Sequence, residues 1–145
     1  MKIAIGCDHA AYEMKEAVKE KLLREGYEVT DVGCDSTESV DYPKYGHAVG
    51  KLVASGEVEK GIAICDTGIG ISIAANKVPG VRAGVAHSVE TAHWTKNHND
   101  ANVLCFGARV VDLDTAFAMV DEWLSTEFAG GKHLRRINEI EDLDF

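Results

Sequence analysis

Long apolar runs are missing from this sequence, and so is a cationic start followed by an apolar stretch. A helix that crosses a bilayer needs about 20 mostly apolar residues, and a secretory signal needs an apolar core behind positive charge. These two absences predict that the protein neither contacts a membrane nor is exported. We therefore expect a soluble, cytoplasmic protein.

Positive charge is also scarce. Lysine and arginine number 15 against 24 aspartates and glutamates, which gives a formal net charge of −9, and no basic stripe is present. Proteins that bind nucleic acid carry such a stripe, because it neutralises the phosphates. Nucleic acid is therefore not an expected partner.

The cysteines and histidines form no ligand motif. The four cysteines show no C-x-x-C spacing, and the six histidines show no H-x-x-x-H or H-E-x-x-H pattern. Structural metal sites use spacings of this kind, and disulfides are rare in cytosolic proteins. We predict reduced thiols and no metal site.

What the chain does contain is an alternation of strand-like and helix-like segments over its 145 residues. This length suits a single domain, residues 1–145, and the order predicts an α/β fold whose parallel sheet is covered on both faces. In such folds ligands bind at the carboxyl ends of the strands. The predicted strands are residues 1–7, 27–32, 61–65, 81–86 and 101–106, and the predicted helices are residues 12–24, 45–55, a segment after Gly70, 88–97 and one capped by Asp112 or Asp114.

The last segment, about residues 132–145, follows a Gly-Gly pair and carries Ile137, Ile140 and Leu143 at helical spacing. Little of its own domain is left for this apolar face to cover. We expect the C-terminal helix to pack on a partner subunit.

The third predicted strand and the turn behind it carry the strongest chemical signal. The apolar run 61–65 ends at Cys65 and leads through Asp66 and Thr67 into Gly68-Ile69-Gly70 and a helix-compatible segment. The first N–H groups of that helix lack intrahelical partners, and glycines let an oxyanion approach them. Cys65 could act there as a base or nucleophile, because a helix N-terminus favours the thiolate. A buried, inert thiol is the alternative.

Polar residues also follow three of the other predicted strands. They are Asp8-His9, His87-Ser88 and Arg109. Because the carboxyl ends of parallel strands meet at one edge of a sheet, we expect these groups and Cys65 to line one cleft.

Four activities could use such a cleft. A dinucleotide turn lacks its third glycine, and a thiol phosphatase loop would need arginine where the chain has Ile71. A receiver-like module with Asp66 as phosphoacceptor fits three strand ends but lacks an acidic pair after the first strand. An aldose–ketose isomerase needs a base, donors for enediolate oxygens, a group that opens the sugar ring and cations for a phosphate. The chain has side chains of every kind that this reaction needs.

Several motifs follow one another in a specific order: Gly6-Cys7-Asp8-His9-Ala10, Asp41-Tyr42-Pro43, Cys65 with Thr67-Gly68-Ile69-Gly70, His98-Asn99-Asp100-Ala101-Asn102, and Gly107 with Arg109-Val110-Val111. Together they resemble the ribose-5-phosphate isomerase B family, which includes allose-6-phosphate and galactose-6-phosphate isomerases. The resemblance runs from Met1 to about Ile140. It implies a Rossmann-like three-layer fold with a five-stranded parallel sheet, no metal or organic cofactor, and a homodimer, with a tetramer left open, whose active sites lie at the interface.

The resemblance also implies roles for individual residues. Cys65 would be the base that moves a proton between C2 and C1 of D-ribose 5-phosphate and D-ribulose 5-phosphate. Thr67 would stabilise the enediolate, and His98 would open the furanose ring. The backbone of Gly68, Ile69 and Gly70 would stabilise the enediolate together with Thr67. The other implied positions hold the sugar oxygens or the phosphate, with Lys132 and Arg136 supplied by the partner chain: Asp8, His9, Asn99, Arg109, Lys132 and Arg136. Asp66, in the same turn as Cys65, is a further candidate for binding the substrate.

Three positions depart from the family's pattern, which has glycine at positions 66 and 11 and arginine at position 132. Asp66 puts a carboxylate beside the proposed base, where it opposes an enediolate unless it points away or binds a substrate hydroxyl. Lys132 offers a point charge instead of a planar fork, and Ala11 matters little if it begins a helix. A six-carbon 6-phosphate, a free aldose, and a non-catalytic sugar-phosphate-binding protein therefore stay as alternatives.

Several candidate side chains also have a purely structural explanation. Asp8 could cap the first helix, His98 could end a helix, and Arg109 could pair with Asp112 on the surface. Lys132 and Arg136 could be solvated surface charges.

Overall fold

A computed structural model describes residues 1–144 and shows the predicted α/β architecture. Five parallel strands form one sheet in the order β2-β1-β3-β5-β4. The strands are β1 (Lys2–Cys7), β2 (Glu28–Gly33), β3 (Lys60–Cys65), β4 (Ala83–Val85) and β5 (Val103–Gly107). The fold class expected from the alternating segments is confirmed.

Four α-helices connect successive strands and two follow the last strand, and all begin and end close to the predicted positions. They are α1 (Tyr12–Arg24), α2 (Pro43–Ala54), α3 (Ile69–Asn76), α4 (Val89–Asn97), α5 (Leu113–Ser125) and α6 (Lys132–Glu141), with a 3₁₀ turn at His9–Ala11. Helix α2 begins two residues earlier than predicted, since Pro43 with its fixed φ suits the first helical position. No helix within residues 1–144 combines the length and apolar composition needed to cross a membrane.

Local capping explains where two of the helices start. Ser88 and Thr91 form a reciprocal capping box at the start of α4, so the Ser88 hydroxyl serves the helix. Of the two aspartates considered for α5, Asp112 is the cap, because its carboxylate accepts the Thr115 N–H at 2.8 Å.

The three central strands, β1, β3 and β5, supply the core and are buried along nearly their whole length. Trp123 of α5 is fully buried against them, and its indole N–H donates to the backbone oxygen of Ala101 at 3.1 Å. Because the central strands are held on both sides by neighbours, the groups at their ends are set by a rigid frame.

The C-terminal helix α6 buries only Ile137 in its own chain. Leu134 and Ile140 on the same helix are 49% and 57% exposed. Apolar side chains left open on an amphipathic helix mark a surface that a partner could cover. The expected packing of this helix on a second subunit stays a prediction.

Candidate active site

The carboxyl ends of β1, β3 and β5 bring Asp8, Cys65 and Arg109 to one edge of the sheet. Backbone hydrogen bonds continue past the strand ends and fix the turns that carry them. The Asp8 N–H donates to the Ile64 oxygen at 3.3 Å, and the Arg109 N–H donates to the Asp66 oxygen at 2.9 Å. These three strand ends therefore meet at one edge of the sheet, as predicted.

Cys65 ends β3 and is 4% exposed. Its Sγ accepts a hydrogen bond from the Gly68 N–H at 3.2 Å, which points the sulfur toward the amino end of α3. Two other thiols differ, because Cys7 and Cys105 are fully buried in the core and burial raises the pKa of both. Among these three cysteines, Cys65 has the setting that suits a reactive thiol.

The turn between β3 and α3 lies directly against the turn after β5. Gly68 has φ +79°, and a Cβ built there would lie 2.6 Å from the backbone carbon of Phe106. A Cβ at Gly107 would lie 2.5 Å from the backbone carbon of Thr67. Both glycines are therefore required, since only two backbones without side chains can pack this closely. The Thr67 Oγ1 also accepts the Ile69 N–H at 3.3 Å, which holds the turn's shape.

Tyr42, which the sequence analysis names only within the Asp41-Tyr42-Pro43 motif, covers the same turn. A Cβ at Gly70 would lie 2.5 Å from the Tyr42 Cζ, so the ring packs directly on the start of α3. The tyrosine is 39% exposed and forms one wall of the turn. Its position just ahead of a proline at a helix start was the available sequence signal.

Asp8 and His9 are held by local contacts at the end of β1. The Asp8 Oδ1 accepts the Ala10 N–H at 3.1 Å, so this carboxylate caps the 3₁₀ turn that precedes α1 and not α1 itself, whose N-cap is Ala11. Burial raises the pKa of Asp8. The His9 Nδ1 lies 3.1 Å from both the nitrogen and the oxygen of Val40, which fixes the ring.

Asp66 and Arg109 form an ion pair, with 2.8 Å between Arg109 Nε and Asp66 Oδ2. The alternative pairing of Arg109 with Asp112 is wrong, because Asp112 caps α5. The Asp66 side chain therefore turns toward the arginine that was expected to bind phosphate.

His98 and Asn99 lie at the opposite edge of the sheet from Cys65. Helix α4 starts at the carboxyl end of β4 and runs back, so the residues that follow it stand at the amino end of β5. The start of α6 lies here too, because the His133 ring stacks on His98 with centroids 4.2 Å apart. Lys132 and Arg136 of α6 are exposed at this edge. Within one chain the structure therefore does not join these four predicted site residues to Cys65.

The rings at the amino edge form a short stack that the sequence did not suggest. The ring centroid of His98 lies 4.5 Å from that of Trp94 and 4.2 Å from that of His133. Partial desolvation and the nearby charges of His98, Lys132 and Arg136 lower the pKa of His133. The stacked His133 ring therefore supports the His98 ring.

Arg82 is a second residue that sequence reasoning missed. Its guanidinium donates to the backbone oxygens of Asn99 and Asp100 at 3.0–3.2 Å and to Glu141 at 3.0 Å. Asp100 has φ +46° and is bound by Lys96 through its side chain. Arg82 thus holds the turn that presents His98 and Asn99, a link that no local pattern reveals.

Within residues 1–144 no three His, Cys, Asp or Glu side chains are arranged so that they could hold an ion.

Known proteins match this chain over nearly its whole length. A sequence profile described as "Ribose/Galactose Isomerase" matches residues 3–140. Ribose-5-phosphate isomerase B of Escherichia coli is 48% identical over 139 residues, 96% of this chain and 93% of that protein. D-erythrulose-4-phosphate isomerase 2 of Mycolicibacterium smegmatis is 43% identical over 131 residues, 88% of this chain and 86% of that protein.

A solved structure agrees with the fold as well. Ribose-5-phosphate isomerase B of Clostridium thermocellum superposes with a TM-score of 0.98 at 51% identity, covering 99% of this chain and 97% of that one. The sheet order, the cysteine turn and these full-length matches lead to one conclusion: the chain belongs to the ribose/galactose isomerase family.

Proposed function

We propose that this chain is an aldose–ketose isomerase that interconverts D-ribose 5-phosphate and D-ribulose 5-phosphate. The observation that carries the proposal is the placement of Cys65, whose sulfur faces the start of α3 at the carboxyl edge of the sheet. Family membership and the names of the relatives at 48% and 51% identity support the same reaction.

In the proposed reaction Cys65 removes the proton from C2 of the open-chain aldose. The electron pair of that C–H bond forms the enediol double bond, and negative charge develops on the C1 oxygen. The free N–H groups at the start of α3 and the Thr67 hydroxyl stabilise this oxygen. The proton of the C2 hydroxyl then passes to the C1 oxygen, and Cys65 returns the first proton to C1 as the C2 carbonyl forms, which gives the ketose without net oxidation. His98 opens the furanose ring before this step.

We further propose that each active site is shared by two copies of the chain. Cys65 lies at one edge of the sheet and His98 at the other, so a second copy has to bring its amino edge to the cysteine turn. The exposed Ile69 and Ile73 of α3, at 55% and 56%, lie beside that turn and would be covered by the partner.

Charge supports the same pairing. The cleft of one chain carries the carboxylates of Asp8 and Asp66, while the partner would bring Lys132 and Arg136, which are exposed at the amino edge. A dianionic phosphate needs such cations. We therefore propose a homodimer, with a tetramer as a further assembly. The predicted cytoplasmic location and the single-domain organisation stay predictions.

The substrate is the part of this proposal that needs direct measurement. One relative is named for a four-carbon phosphate, so membership in the family does not select the sugar. Initial rates for D-ribose 5-phosphate should exceed those for allose 6-phosphate, galactose 6-phosphate and free allose. A preference for another sugar would mean that this sugar is the substrate. No turnover of any of them would favour a non-catalytic sugar-phosphate-binding protein.

The shared site is tested by complementation between two inactive variants. Cys65→Ala and His98→Gln should each lose activity, and refolding them together should restore about a quarter of it, because half the dimers are mixed and each mixed dimer has one intact site. Cys65→Ala mixed with Thr67→Ala is the matched control and should restore nothing, since both residues come from one chain. Absence of recovery in verified mixed dimers would refute the shared site. A Cys65→Ala variant that still isomerised the substrate would refute the assignment of Cys65 as the base.

A further inference from the structure

Asp66 and Arg109 are linked twice at the mouth of the cysteine turn. The Arg109 backbone N–H donates to the Asp66 oxygen at 2.9 Å, and Arg109 Nε contacts Asp66 Oδ2 at 2.8 Å. The Arg109 side chain is 74% exposed and the Asp66 side chain is 42% exposed, so the pair lies at the surface and not in the core. Any anion that approaches Arg109 therefore also meets the Asp66 carboxylate.

The pair leaves Arg109 only partly available to an anion. Asp66 occupies Nε, and within residues 1–144 the two terminal nitrogens of Arg109 have no hydrogen-bond partner. A phosphate could still bind those nitrogens, but the adjacent carboxylate cancels much of the guanidinium charge. Asp8 adds a second carboxylate at this edge. Its pKa is raised mainly by burial and also by the charge of Asp66, so the two acids are close enough to repel.

We propose that Asp66 is a specificity-determining residue that lowers the affinity of the cleft for a phosphate dianion and so weakens the preference for phosphorylated over unphosphorylated sugars. This inference rests on the proposed function, because it places the substrate phosphate near Arg109. It concerns the charge of Asp66 and is independent of which aldose is bound.

Two opposing effects decide whether Asp66 strengthens or weakens phosphate binding. Asp66 could help phosphate binding by orienting Arg109, but an exposed ion pair orients its partners only weakly. Repulsion between a carboxylate and a dianion about 7 Å apart, screened by water and salt, weakens binding about threefold. The repulsion is the larger effect, so removal of the charge should tighten phosphate binding.

The test replaces Asp66 with Asn, which keeps an oxygen acceptor for Arg109 Nε and removes only the charge. Calorimetric titration with inorganic phosphate should give a dissociation constant about threefold lower than for the unmodified protein. The KM for D-ribose 5-phosphate should fall by a similar factor with kcat within about twofold, and kcat/KM for unphosphorylated D-ribose should not change. Asp114→Asn, the matched control, changes the net charge equally on an exposed helix start and should leave phosphate affinity unaltered.

Two results would overturn the inference. Weaker phosphate binding by Asp66→Asn would make the carboxylate an orienting partner of Arg109. An equal gain for D-ribose and D-ribose 5-phosphate would mean that Asp66 acts on the reacting carbons and not on the phosphate. If phosphate binding tightens while the unmodified protein isomerises no sugar, the effect of Asp66 on phosphate affinity stands, whereas the proposed function and the preference among sugars fail.

Discussion

Replacing Gly68 with alanine tests whether the cysteine turn really depends on close packing of two backbones. Gly68 has φ +79°, and its added Cβ would lie 2.6, 2.8 and 2.9 Å from three backbone atoms of Phe106. Backbone atoms in the end of a central strand cannot move aside as a flexible side chain can. Either the turn or the end of β5 would have to shift.

The chain provides a matched control for the dihedral cost alone. Gly26 ends α1 with φ +90°, and a Cβ there would meet nothing within 4 Å. Gly26→Ala should therefore cost about 1 kcal/mol of folding free energy, the usual penalty for a side chain in left-handed backbone. Gly68→Ala should cost about 3 kcal/mol, because overpacking against backbone adds about 2 kcal/mol.

Gly68→Ala and Gly26→Ala are compared by thermal unfolding and by the isomerase assay. The additional 2 kcal/mol or so should place the melting temperature of Gly68→Ala about 6 °C below that of Gly26→Ala. The kcat of Gly68→Ala should fall about 100-fold, since the displaced N–H groups no longer face the developing oxyanion, while Gly26→Ala keeps its kcat. Equal melting temperatures and full activity in Gly68→Ala would refute the close packing of the two turns.

Two other substitutions probe the charged contacts. Lys15 is 1% exposed and contacts Asp31 at 2.7 Å and Glu16 at 2.8 Å, so Asp31→Asn should reduce stability by about 2 kcal/mol in urea unfolding near pH 7. Burial raises the pKa of Asp31, but hydrogen bonds from Lys15 and Lys19 outweigh burial and hold that pKa below its usual range. The stability difference between the unmodified protein and Asp31→Asn should therefore persist above about pH 4 and shrink as the pH falls further. A difference that is equal at pH 3 and pH 7 would contradict this account. Arg82→Gln should lower kcat more than tenfold while phosphate affinity changes little, because the turn that carries His98 loses three hydrogen bonds to its backbone oxygens. An unchanged kcat would show that the turn keeps its conformation without Arg82.

The sequence by itself was sufficient to predict the strands and helices and to identify the family. Apolar runs of strand length, helical spacing and caps such as Ser88 and Asp112 are local patterns, and each depends on neighbours within a few residues. The prediction that Asp8, Cys65 and Arg109 meet follows from chain direction in a parallel sheet, which also needs no side-chain detail. That part of the site was therefore accessible from the order of the segments.

Tertiary structure decided which predicted residues meet and what Asp66 contacts. His98 and Cys65 belong to one set of motifs, yet α4 returns the chain to the amino edge, so their separation appears only when the sheet is assembled. The Asp66–Arg109 pair joins residues 43 positions apart, and the Arg82 contacts with Asn99 and Glu141 span 17 and 59 positions. Contacts of that range are set by packing of the whole fold, because no pattern within a short segment records them.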